Sequence, residues 1–568
     1  MKKYFLTVFA LFLCWVAFSA NPDRNIKINI ILKVRSDAAE LSRMADVFPT
    51  KNERRDFVVS NLQMQAKESQ ADLLNYLNEL EANGLVEEIR PLWIVNSVSC
   101  YANASLVDVI AQRDDVLTVY QCEEFQCIDD ELVMSVVNVD GREIAENILK
   151  VNANQVWELG YTGEDVLVAL IDTGVRLDHA DLQGNLWDGG SEYPNHGYDF
   201  YQHDNDPSDT HGHGTHVAGT IVGNGVSGTQ TGVAPGAKIM VLKVFHGSDN
   251  LTEPTMWVEA MQFAVEHGAD VLNMSLGQPL PDSGVKLMLR QACDNTLAAG
   301  VVAAVCAGNS RQIQMLAPVP YNIWSPGDCP PPHLHDDQLV NAGGTSCVIC
   351  VGAVDFNDAL GSFSSEGPST WSDVAPYNDY PYASGSSSNI GLIRPDVCAP
   401  GVNIKSLDWS TTNGYCLKSG TSMATPCVAG TIALMLSKDH ELTPAQIDEI
   451  LERTAIPLSA HKNNDFGSGR IDALAAVNAI GHDDIEEIDA DDFKVYPNPA
   501  NDFIIITSTD VQTRFIASSE YKILNIWGKI VSLGVIITDN QQIDISNLPN
   551  GIYFMKIHES VTKIIIAR

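Results

Sequence analysis

Positive charge is scarce in this sequence of 568 residues, which has 35 lysines and arginines against 72 aspartates and glutamates. The formal net charge at pH 7 is therefore −37. A protein that binds nucleic acid neutralises phosphates with clustered basic side chains, which this composition hardly supplies. The balance argues against a nucleic-acid partner and favours a protein that stays soluble outside the cell.

Long apolar runs are also nearly absent. The one candidate covers residues 4–18, directly after Met1, Lys2 and Lys3, and small residues follow it at positions 19 and 20. Such a run is short for a membrane span, and its basic start and small-residue end are typical of a secretory signal peptide. We predict a signal peptide over residues 1–20, with a bound N-terminal helix as the alternative.

The histidine-rich segment at residues 211–216 lacks what a zinc site needs. It has the sequence His-Gly-His-Gly-Thr-His, without the glutamate of a His-Glu-x-x-His motif, and no cysteine or carboxylate pair stands nearby at ligand spacing. Zinc sites are built from three or four such ligands. We therefore expect no metal centre and no cofactor, and we expect His211 and His216 to be packing or supporting residues.

A serine in a distinctive setting is present instead. The heptapeptide at residues 420–426, Gly-Thr-Ser-Met-Ala-Thr-Pro, precedes an apolar run at residues 428–436. This pattern places Ser422 at the N-terminus of a helix, where free backbone N–H groups and the helix dipole favour a developing negative charge. Serine alone is a weak nucleophile, so this interpretation requires a base, a group that orients the base, and a second oxyanion donor.

Three other segments supply those groups. Residues 166–171 form a continuous apolar run, typical of a strand buried on both faces, and Asp172 follows at its carboxyl end. In open α/β sheets the carboxyl ends of the strands carry the chemistry. His213 opens the motif His-Gly-Thr-His-Val-Ala-Gly, and the strand predicted at residues 301–305 leads to Asn309, whose amide can donate to an oxyanion.

Taken in this order along the chain, the motifs resemble those of the subtilisin-like serine proteases, the subtilases, over roughly residues 151–480. The resemblance implies Asp172 as the orienting carboxylate, His213 as the general base and Ser422 as the nucleophile. It also implies Asn309 as the donor to the oxyanion.

The same resemblance implies a substrate-binding strand at Ser275, Leu276 and Gly277, which would pair with an extended peptide and form one wall of the pocket for the residue before the scissile bond. The other wall falls in a proline-rich insert at residues 310–346, so the sequence does not reveal the preferred side chain. Asp181 matches a calcium ligand of some subtilases, but the facing loop has few carboxylates. An aspartate that is solvated or caps a turn is the alternative.

The order of predicted elements indicates the fold class. In residues 150–480 apolar strands alternate with helices, which predicts a subtilisin-like α/β domain with a parallel sheet and helices on both faces. Residues 24–128 have the order βαββαβ of a ferredoxin-like α+β unit. Placed before a subtilase domain, this unit resembles the family's inhibitory propeptide, so we expect the chain to carry its own intramolecular inhibitor. The connector at residues 128–150 should contain the processing site.

The C-terminal part of the chain has a different composition. Residues 481–492 form an acidic linker, and residues 493–568 contain short strands that predict a small all-β sandwich. Segments at residues 495–502, 526–529, 548–553 and 563–568 resemble the C-terminal sorting domain of the type IX secretion system. That resemblance implies export through the periplasm and across the outer membrane by the type IX machinery, to the cell surface or the medium. A carbohydrate-binding or spacer domain is the alternative.

Together these features predict a secreted serine endopeptidase made as a preproenzyme, which hydrolyses protein or peptide substrates through an acyl-enzyme. The alternative from another class is a catalytically silent surface adhesin on a subtilase scaffold. The complete set of triad residues together with Asn309 favours the enzyme.

Twelve cysteines are present, and several of them lie in or beside apolar core runs, including Cys306, Cys350, Cys398 and Cys427. Export permits disulfides, but cysteines in such positions are usually packed thiols. We expect most of these cysteines to be buried thiols.

Overall fold

The computed structural model describes residues 25–127, 143–247, 249–331, 346, 348–382, 391–481, 493–508, 519–525, 530–536, 541–557 and 560–568. The predicted signal peptide, most of the predicted connector and nearly all of the acidic linker lie outside these residues. The chain divides into two compact units, Met1–Ile480 and Gly481–Arg568, and each is described by itself. None of the described helices is both long and apolar enough to cross a membrane.

The N-terminal region of the first unit is built on a four-stranded antiparallel sheet. Its elements are β1 (Asn25–Leu32), α1 (Ala38–Ala45), α2 (Lys51–Ser69), α3 (Ala71–Ala82), β2 (Val86–Leu92), β3 (Ser97–Asn103), α4 (Val107–Ala111) and β4 (Val116–Gln121). The strand order is β2-β3-β1-β4, with β1 antiparallel to both of its neighbours. This order is that of the predicted ferredoxin-like unit.

The predicted order βαββαβ has one helix between the first two strands, but the structure has three, and two of them, α2 and α3, meet at Gln70. The Gln70 side chain is buried, and its Nε2 donates to the Leu92 and Ser97 carbonyl oxygens and to Asn96 Oδ1, at 3.4, 3.2 and 3.1 Å. These bonds fix the chain direction at the junction. Their partners lie more than twenty residues away, so the local sequence pattern does not reveal the break.

The rest of the first unit forms the larger domain. The short strand β5 (Phe125–Gln126) still belongs to the N-terminal region. Along the chain the elements of the larger domain are β6 (Glu143–Ile144), α5 (Glu146–Lys150), α6 (Ala153–Glu158), β7 (Leu167–Asp172), β8 (Gly197–Asp199), α7 (His213–Val222), β9 (Thr229–Gln230), β10 (Lys238–Lys243), β11 (Leu251–Thr252), α8 (Pro254–Glu266), β12 (Val271–Met274), α9 (Ser283–Ala298), β13 (Val302–Cys306), β14 (Val348–Val354), β15 (Val397–Pro400), β16 (Ile404–Leu407), β17 (Tyr415–Lys418), α10 (Thr421–Lys438), α11 (Pro444–Thr454) and α12 (Ala473–Ala479). Seven of the strands form one parallel sheet in the order β15-β14-β13-β12-β7-β10-β8.

Helices cover both faces of this sheet, as predicted. Val168 and Leu170 of β7 pack in a cluster with residues of α7 and α10, whereas Ala169 and Ile171 pack in a second cluster with residues of α8 and α9. Successive residues of a strand point to opposite faces, which explains the alternation. The sequence analysis missed the edge strand β8, which has the sequence Gly-Tyr-Asp, because it contains no apolar run.

The C-terminal unit consists of two antiparallel sheets. Its strands are β18 (Phe493–Tyr496), β19 (Phe503–Ser508), β20 (Ser519–Asn525), β21 (Ile530–Ile536), β22 (Gln541–Asp544), β23 (Gly551–Ile557) and β24 (Ser560–Ile566). The sheet orders are β18-β19-β22 and β21-β20-β23-β24. Ile504 and Ile506 of the first sheet share a core with Ile523 and Ile564 of the second, so the predicted small all-β region is confirmed.

The cysteines of the described residues are buried, as expected. Eight of them are free thiols, namely Cys100, Cys122, Cys306, Cys329, Cys350, Cys398, Cys416 and Cys427. Burial raises the pKa of Cys306 and of Cys427 to about 12. These thiols therefore pack as small apolar groups in the folded protein.

Candidate active site

The predicted orienting carboxylate and the predicted base are in contact at the carboxyl edge of the parallel sheet. Asp172 is the last residue of β7, and His213 is the first residue of α7. His213 Nδ1 lies 2.7 Å from Asp172 Oδ1, and both side chains are buried. The carboxylate favours the tautomer with the hydrogen on Nδ1, so Nε2 keeps the lone pair that a general base uses.

A second carboxylate holds the loop before α7. Asp209 Oδ1 accepts hydrogen bonds from the His211 and Gly212 N–H groups, at 2.9 and 2.8 Å. Asp209 Oδ2 accepts from Thr215 N and Thr215 Oγ1, at 3.0 and 2.5 Å. These N–H groups lie around a helix start, where a carboxylate also meets the favourable end of the dipole. The sequence analysis missed this role, although an aspartate just ahead of a helix is a recognisable capping signal.

Gly214 allows α7 to begin close against β7. A Cβ at this position would lie 2.1 Å from the Gly174 carbonyl oxygen and 3.0 Å from Asp172 Oδ1. Any larger residue would push His213 away from Asp172. A glycine directly after His213 is therefore required for the contact between His213 and Asp172.

Ser422 lies in the first turn of α10, as its setting predicted. Its side chain is largely buried, and its Oγ donates to the Ser275 carbonyl oxygen at 3.2 Å. Ser275 Oγ donates in return to the Ser422 carbonyl oxygen at 2.9 Å. Among the described contacts the Ser422 hydroxyl bonds to the predicted substrate strand rather than to His213, while α7 and α10 pack against each other.

Asn309 is oriented by the residue that precedes the candidate nucleophile. Its Oδ1 accepts hydrogen bonds from Thr421 N and Thr421 Oγ1, at 3.1 and 3.0 Å. Thr421 Oγ1 accepts in turn from the Gly308 N–H at 3.2 Å. Because the amide oxygen is occupied by two donors, the Nδ2 group is on the other side of the amide and can donate. This orientation fits a donor to an oxyanion that forms at Ser422.

Lys418 connects the two loops that carry the candidate base and the candidate nucleophile. It ends β17, shortly before α10, and its Nζ donates to the Gly212 carbonyl oxygen at 3.1 Å. Gly212 directly precedes His213, so this bond fixes the start of α7 relative to the start of α10. Lys418 is buried. Because lysine is seldom buried, the sequence gave no reason to expect this position for Lys418.

The other two histidines of the motif pack around the site. His216 is buried with Nε2 3.0 Å from the Ile404 carbonyl oxygen, and burial lowers its pKa well below the usual value, so its imidazole is neutral. His211 Nε2 lies 2.9 Å from Asn250 Nδ2. In the described part of the chain, no group of three His, Cys, Asp or Glu side chains is arranged to hold a metal ion.

The Asp181 carboxylate accepts hydrogen bonds from two neighbouring segments. Its Oδ1 accepts from Ser227 N and its Oδ2 accepts from Tyr415 OH, both at 2.6 Å. Its side chain is fully buried. Both carboxylate oxygens thus hold neighbouring segments together.

The end of the N-terminal region reaches the predicted substrate strand. β5 pairs antiparallel with β11, which brings Phe125 opposite Thr252. Cys127 Sγ lies 3.0 Å from the Gly277 carbonyl oxygen and 3.2 Å from Gly277 N. An extended segment of the chain itself therefore occupies the groove beside Gly277, and Cys127 is the last residue described before the connector.

Comparison with known proteins gives matches for both parts of the chain. A profile of the subtilase family matches residues 163–470, and a profile of the secretion system C-terminal sorting domain matches residues 494–567. Subtilisin DY of Bacillus licheniformis is 33% identical over 326 residues, which cover 57% of this chain and 96% of that protein. Subtilisin E of Bacillus subtilis (strain 168) is 32% identical over 336 residues, which cover 59% of this chain and 71% of that protein.

Bacillopeptidase F of Bacillus subtilis (strain 168) matches a longer part of the chain. It is 31% identical over 491 residues, which cover 81% of this chain. The same alignment spans 31% of the length of bacillopeptidase F.

Proposed function

The chain belongs to the subtilase family, and we propose that it is a serine endopeptidase whose catalytic triad is Asp172, His213 and Ser422. The observation that carries this proposal is the buried contact of 2.7 Å between His213 Nδ1 and Asp172 Oδ1. The helix that begins with this histidine packs against the helix that carries Ser422 in its first turn. The residues proposed as base, orienting carboxylate and nucleophile come from three segments that are distant along the chain, which supports the proposal.

In the proposed reaction Ser422 Oγ attacks the carbonyl carbon of a peptide bond while its proton moves to His213 Nε2. The resting hydroxyl donates to the Ser275 carbonyl oxygen at 3.2 Å, which is long for a bond between two oxygens. A weak bond of this kind is easily exchanged for one to the imidazole when substrate binds. Asp172 stabilises the imidazolium through its contact with Nδ1.

The negative oxygen of the tetrahedral intermediate is stabilised by Asn309 Nδ2, which Thr421 orients, and by backbone N–H groups at the start of α10. His213 then gives its proton to the amine nitrogen as the peptide C–N bond breaks, which leaves an acyl-enzyme on Ser422. Water attacks the acyl carbon while His213 Nε2 takes a proton from it. The bond between the acyl carbon and Ser422 Oγ then breaks as His213 returns this proton to Oγ, and the second product leaves.

A fluorophosphonate probe tests this assignment, because it reacts with a base-activated serine hydroxyl. We expect the probe to modify Ser422 and to abolish hydrolysis of a peptide library. Ser422→Ala should be unlabelled and inactive, whereas Ser437→Ala, a change in the last turn of the same helix, should be labelled and active like the wild type. Full activity of Ser422→Ala would contradict the proposal.

We also propose that residues 24–128 are an inhibitory propeptide of the catalytic domain at residues 150–480. The support is the position of β5 and Cys127 in the substrate groove, together with polar contacts between the two regions. Lys27 Nζ lies 2.6 Å from Glu253 Oε1, and Trp93 Nε1 donates to Glu266 Oε1 at 2.5 Å. A segment in this place excludes a substrate until the connector is cut.

The sorting domain near the C-terminus indicates type IX secretion, to the cell surface or the extracellular space. We propose that residues 493–568 carry this signal and that residues 481–492 act as a linker. Proteins and peptides outside the cell are then the proposed substrates.

A further inference from the structure

The gap between two neighbouring strand ends decides which substrate side chain can lie beside Ser422. β12 and β13 are parallel neighbours, and Gly277 and Gly308 follow them at the same edge of the sheet. In the proposed reaction a peptide carbonyl carbon faces Ser422 and its oxygen faces Asn309. Gly277 belongs to the predicted substrate strand and Gly308 directly precedes Asn309, so the side chain of the same residue would lie between these two glycine segments. The contents of this gap therefore set the preference for the residue before the scissile bond.

Trp324 from the proline-rich insert lies in this gap. A Cβ at Gly308 would lie 2.5 Å from Cγ and from Cδ1 of the Trp324 side chain. A Cβ at Gly277 would lie 2.9 Å from Trp324 Cβ and 3.6 Å from its Cε3. One side chain thus packs against both glycines, and only 6% of Trp324 is exposed.

Hydrogen bonds to both walls hold Trp324 in place. Its N–H donates to the Ala307 carbonyl oxygen at 3.0 Å, and its Nε1 donates to Ser310 Oγ at 2.7 Å. The next residue, Ser325, exchanges two backbone hydrogen bonds with Gln278, at 2.8 and 3.0 Å. Turning the indole out of the gap would break its bond to Ser310 and expose a large apolar surface. The indole is therefore a fixed wall.

We propose that Trp324 determines specificity by restricting the side chain before the scissile bond to that of glycine, alanine or serine. The proposal rests on the peptidase activity proposed above. A larger side chain would need the volume that the indole occupies, and interiors packed this closely do not accept it without strain.

The test is a cleavage profile of the processed wild-type enzyme on matched peptides that differ only before the scissile bond. We expect kcat/KM for alanine to exceed that for phenylalanine by about 100-fold or more. Trp324→Ala should raise kcat/KM for the phenylalanine and leucine peptides at least about tenfold and leave the alanine peptide within about threefold. Trp187→Phe is the matched control, because the Trp187 indole packs against Tyr193 and Phe263, at 5.9 and 6.3 Å between ring centroids, in a cluster that takes no part in the gap. This control should keep the wild-type ratio.

The outcomes separate this inference from the proposed function. A wild-type enzyme that prefers phenylalanine or leucine would overturn the role of Trp324 and leave the peptidase assignment intact. A folded Trp324→Ala enzyme that reacts with the fluorophosphonate probe but keeps the wild-type ratio would overturn it as well. If Trp324→Ala does not fold, Trp324→Phe decides: its smaller ring should raise the kcat/KM for leucine relative to alanine, and an unchanged ratio refutes the inference. A wild-type chain without labelling or hydrolysis contradicts the peptidase itself.

Discussion

The region that precedes the sheet domain in the sequence and the unit that follows it bury their apolar surface in different ways. The N-terminal region has a core of its own, but it also contributes Leu62 and Trp93 to a cluster shared with α8 and α9. The core of the C-terminal unit is formed by residues that all lie between positions 500 and 566. The first region packs against the sheet domain, whereas the second has the core that an independent domain needs.

Ion pairs also join the N-terminal region to the sheet domain. Lys27 pairs with Glu253 at 2.6 Å, with side chains that are 15% and 2% exposed, and Lys51 pairs with Asp270 at 2.8 Å. Opening buried pairs of this kind leaves charges without partners until water reaches them. This difference fits the proposed roles, in which the N-terminal region acts on the enzyme itself and the C-terminal unit acts as an address.

The largest effect is expected from Ser422→Ala. Removal of the nucleophile should lower peptide hydrolysis on the order of 10⁶-fold. Because the connector should be cut by the enzyme itself, the variant should keep its N-terminal region when it is made in a host without other proteases. Mass spectrometry of the purified chain measures this. If the variant lost its N-terminal region at the wild-type rate, another protease would be responsible. The proposed action of the N-terminal region on its own enzyme would then lose this support.

Asn309→Ala should have the next largest effect, a loss of about 10² to 10³ in kcat with KM largely unchanged, because the donor acts mainly in the transition state. Because the connector should be cut by the enzyme itself, this variant should also lose its N-terminal region more slowly than the wild type. Asn309→Asp is the matched variant, since it keeps an acceptor for Thr421 but loses the donor, and it should be similarly slow. Steady-state kinetics on one peptide decide the matter, and a change in KM instead of kcat would assign Asn309 to substrate binding.

Because the N-terminal region packs against the sheet domain near a buried carboxyl group, we expect its binding to depend on pH. Burial raises the pKa of Glu259 on α8 to about 7; Arg90 and Lys27 of the N-terminal region oppose this rise, while Glu253 and Glu88 add to it. We expect release to expose the carboxyl group and return its pKa towards the ordinary value of 4.5. The bound state then holds the proton more tightly, so binding is strongest below about pH 4.5 and weakens as the pH rises to about 7, by up to about tenfold per pH unit.

The measurement is the inhibition constant of residues 25–127, added as a separate polypeptide to the processed enzyme, from pH 4.5 to 8. Glu259→Gln should flatten the profile, because the amide cannot ionise. A profile of equal slope in the variant would show that another group is responsible.

The smallest effect on catalysis is expected from deletion of residues 493–568. Peptide hydrolysis should stay within about twofold of the wild type, because the predicted catalytic residues all lie in the first unit. In a host with type IX machinery, a chain that ends near residue 489 should stay in the periplasm. Fractionation of cells that make either chain provides the comparison, and equal export of both chains would refute the role as an address.

Asp172, His213, Asn309 and Ser422 could be predicted because short-range patterns mark them. Each follows an apolar strand or opens a helix, and strand ends and helix starts are what local sequence specifies best. The parallel sheet was predictable for the same reason, since its central strands are continuous apolar runs.

Other features depend on contacts between distant segments, which no local pattern encodes. Trp324 lies in an insert without periodicity, and its position between two glycines appears only when β12 and β13 are neighbours. Lys418 is a polar residue whose burial depends on a carbonyl oxygen 206 positions away. Gln70 interrupts a helical pattern because of partners on the following strands. In each case tertiary contacts override local preference.

The buried thiols have a consequence for the lifetime of the protein outside the cell. Thiolate is the reactive form of cysteine, and the raised pKa of Cys306 and Cys427 keeps it scarce while the protein is folded. Unfolding in an oxidising medium would expose many thiols together, and random disulfides would then trap the chain before it refolds. Each unfolding event can therefore inactivate a molecule irreversibly. The lifetime of the protein outside the cell then depends on its unfolding rate and not on its equilibrium free energy of unfolding.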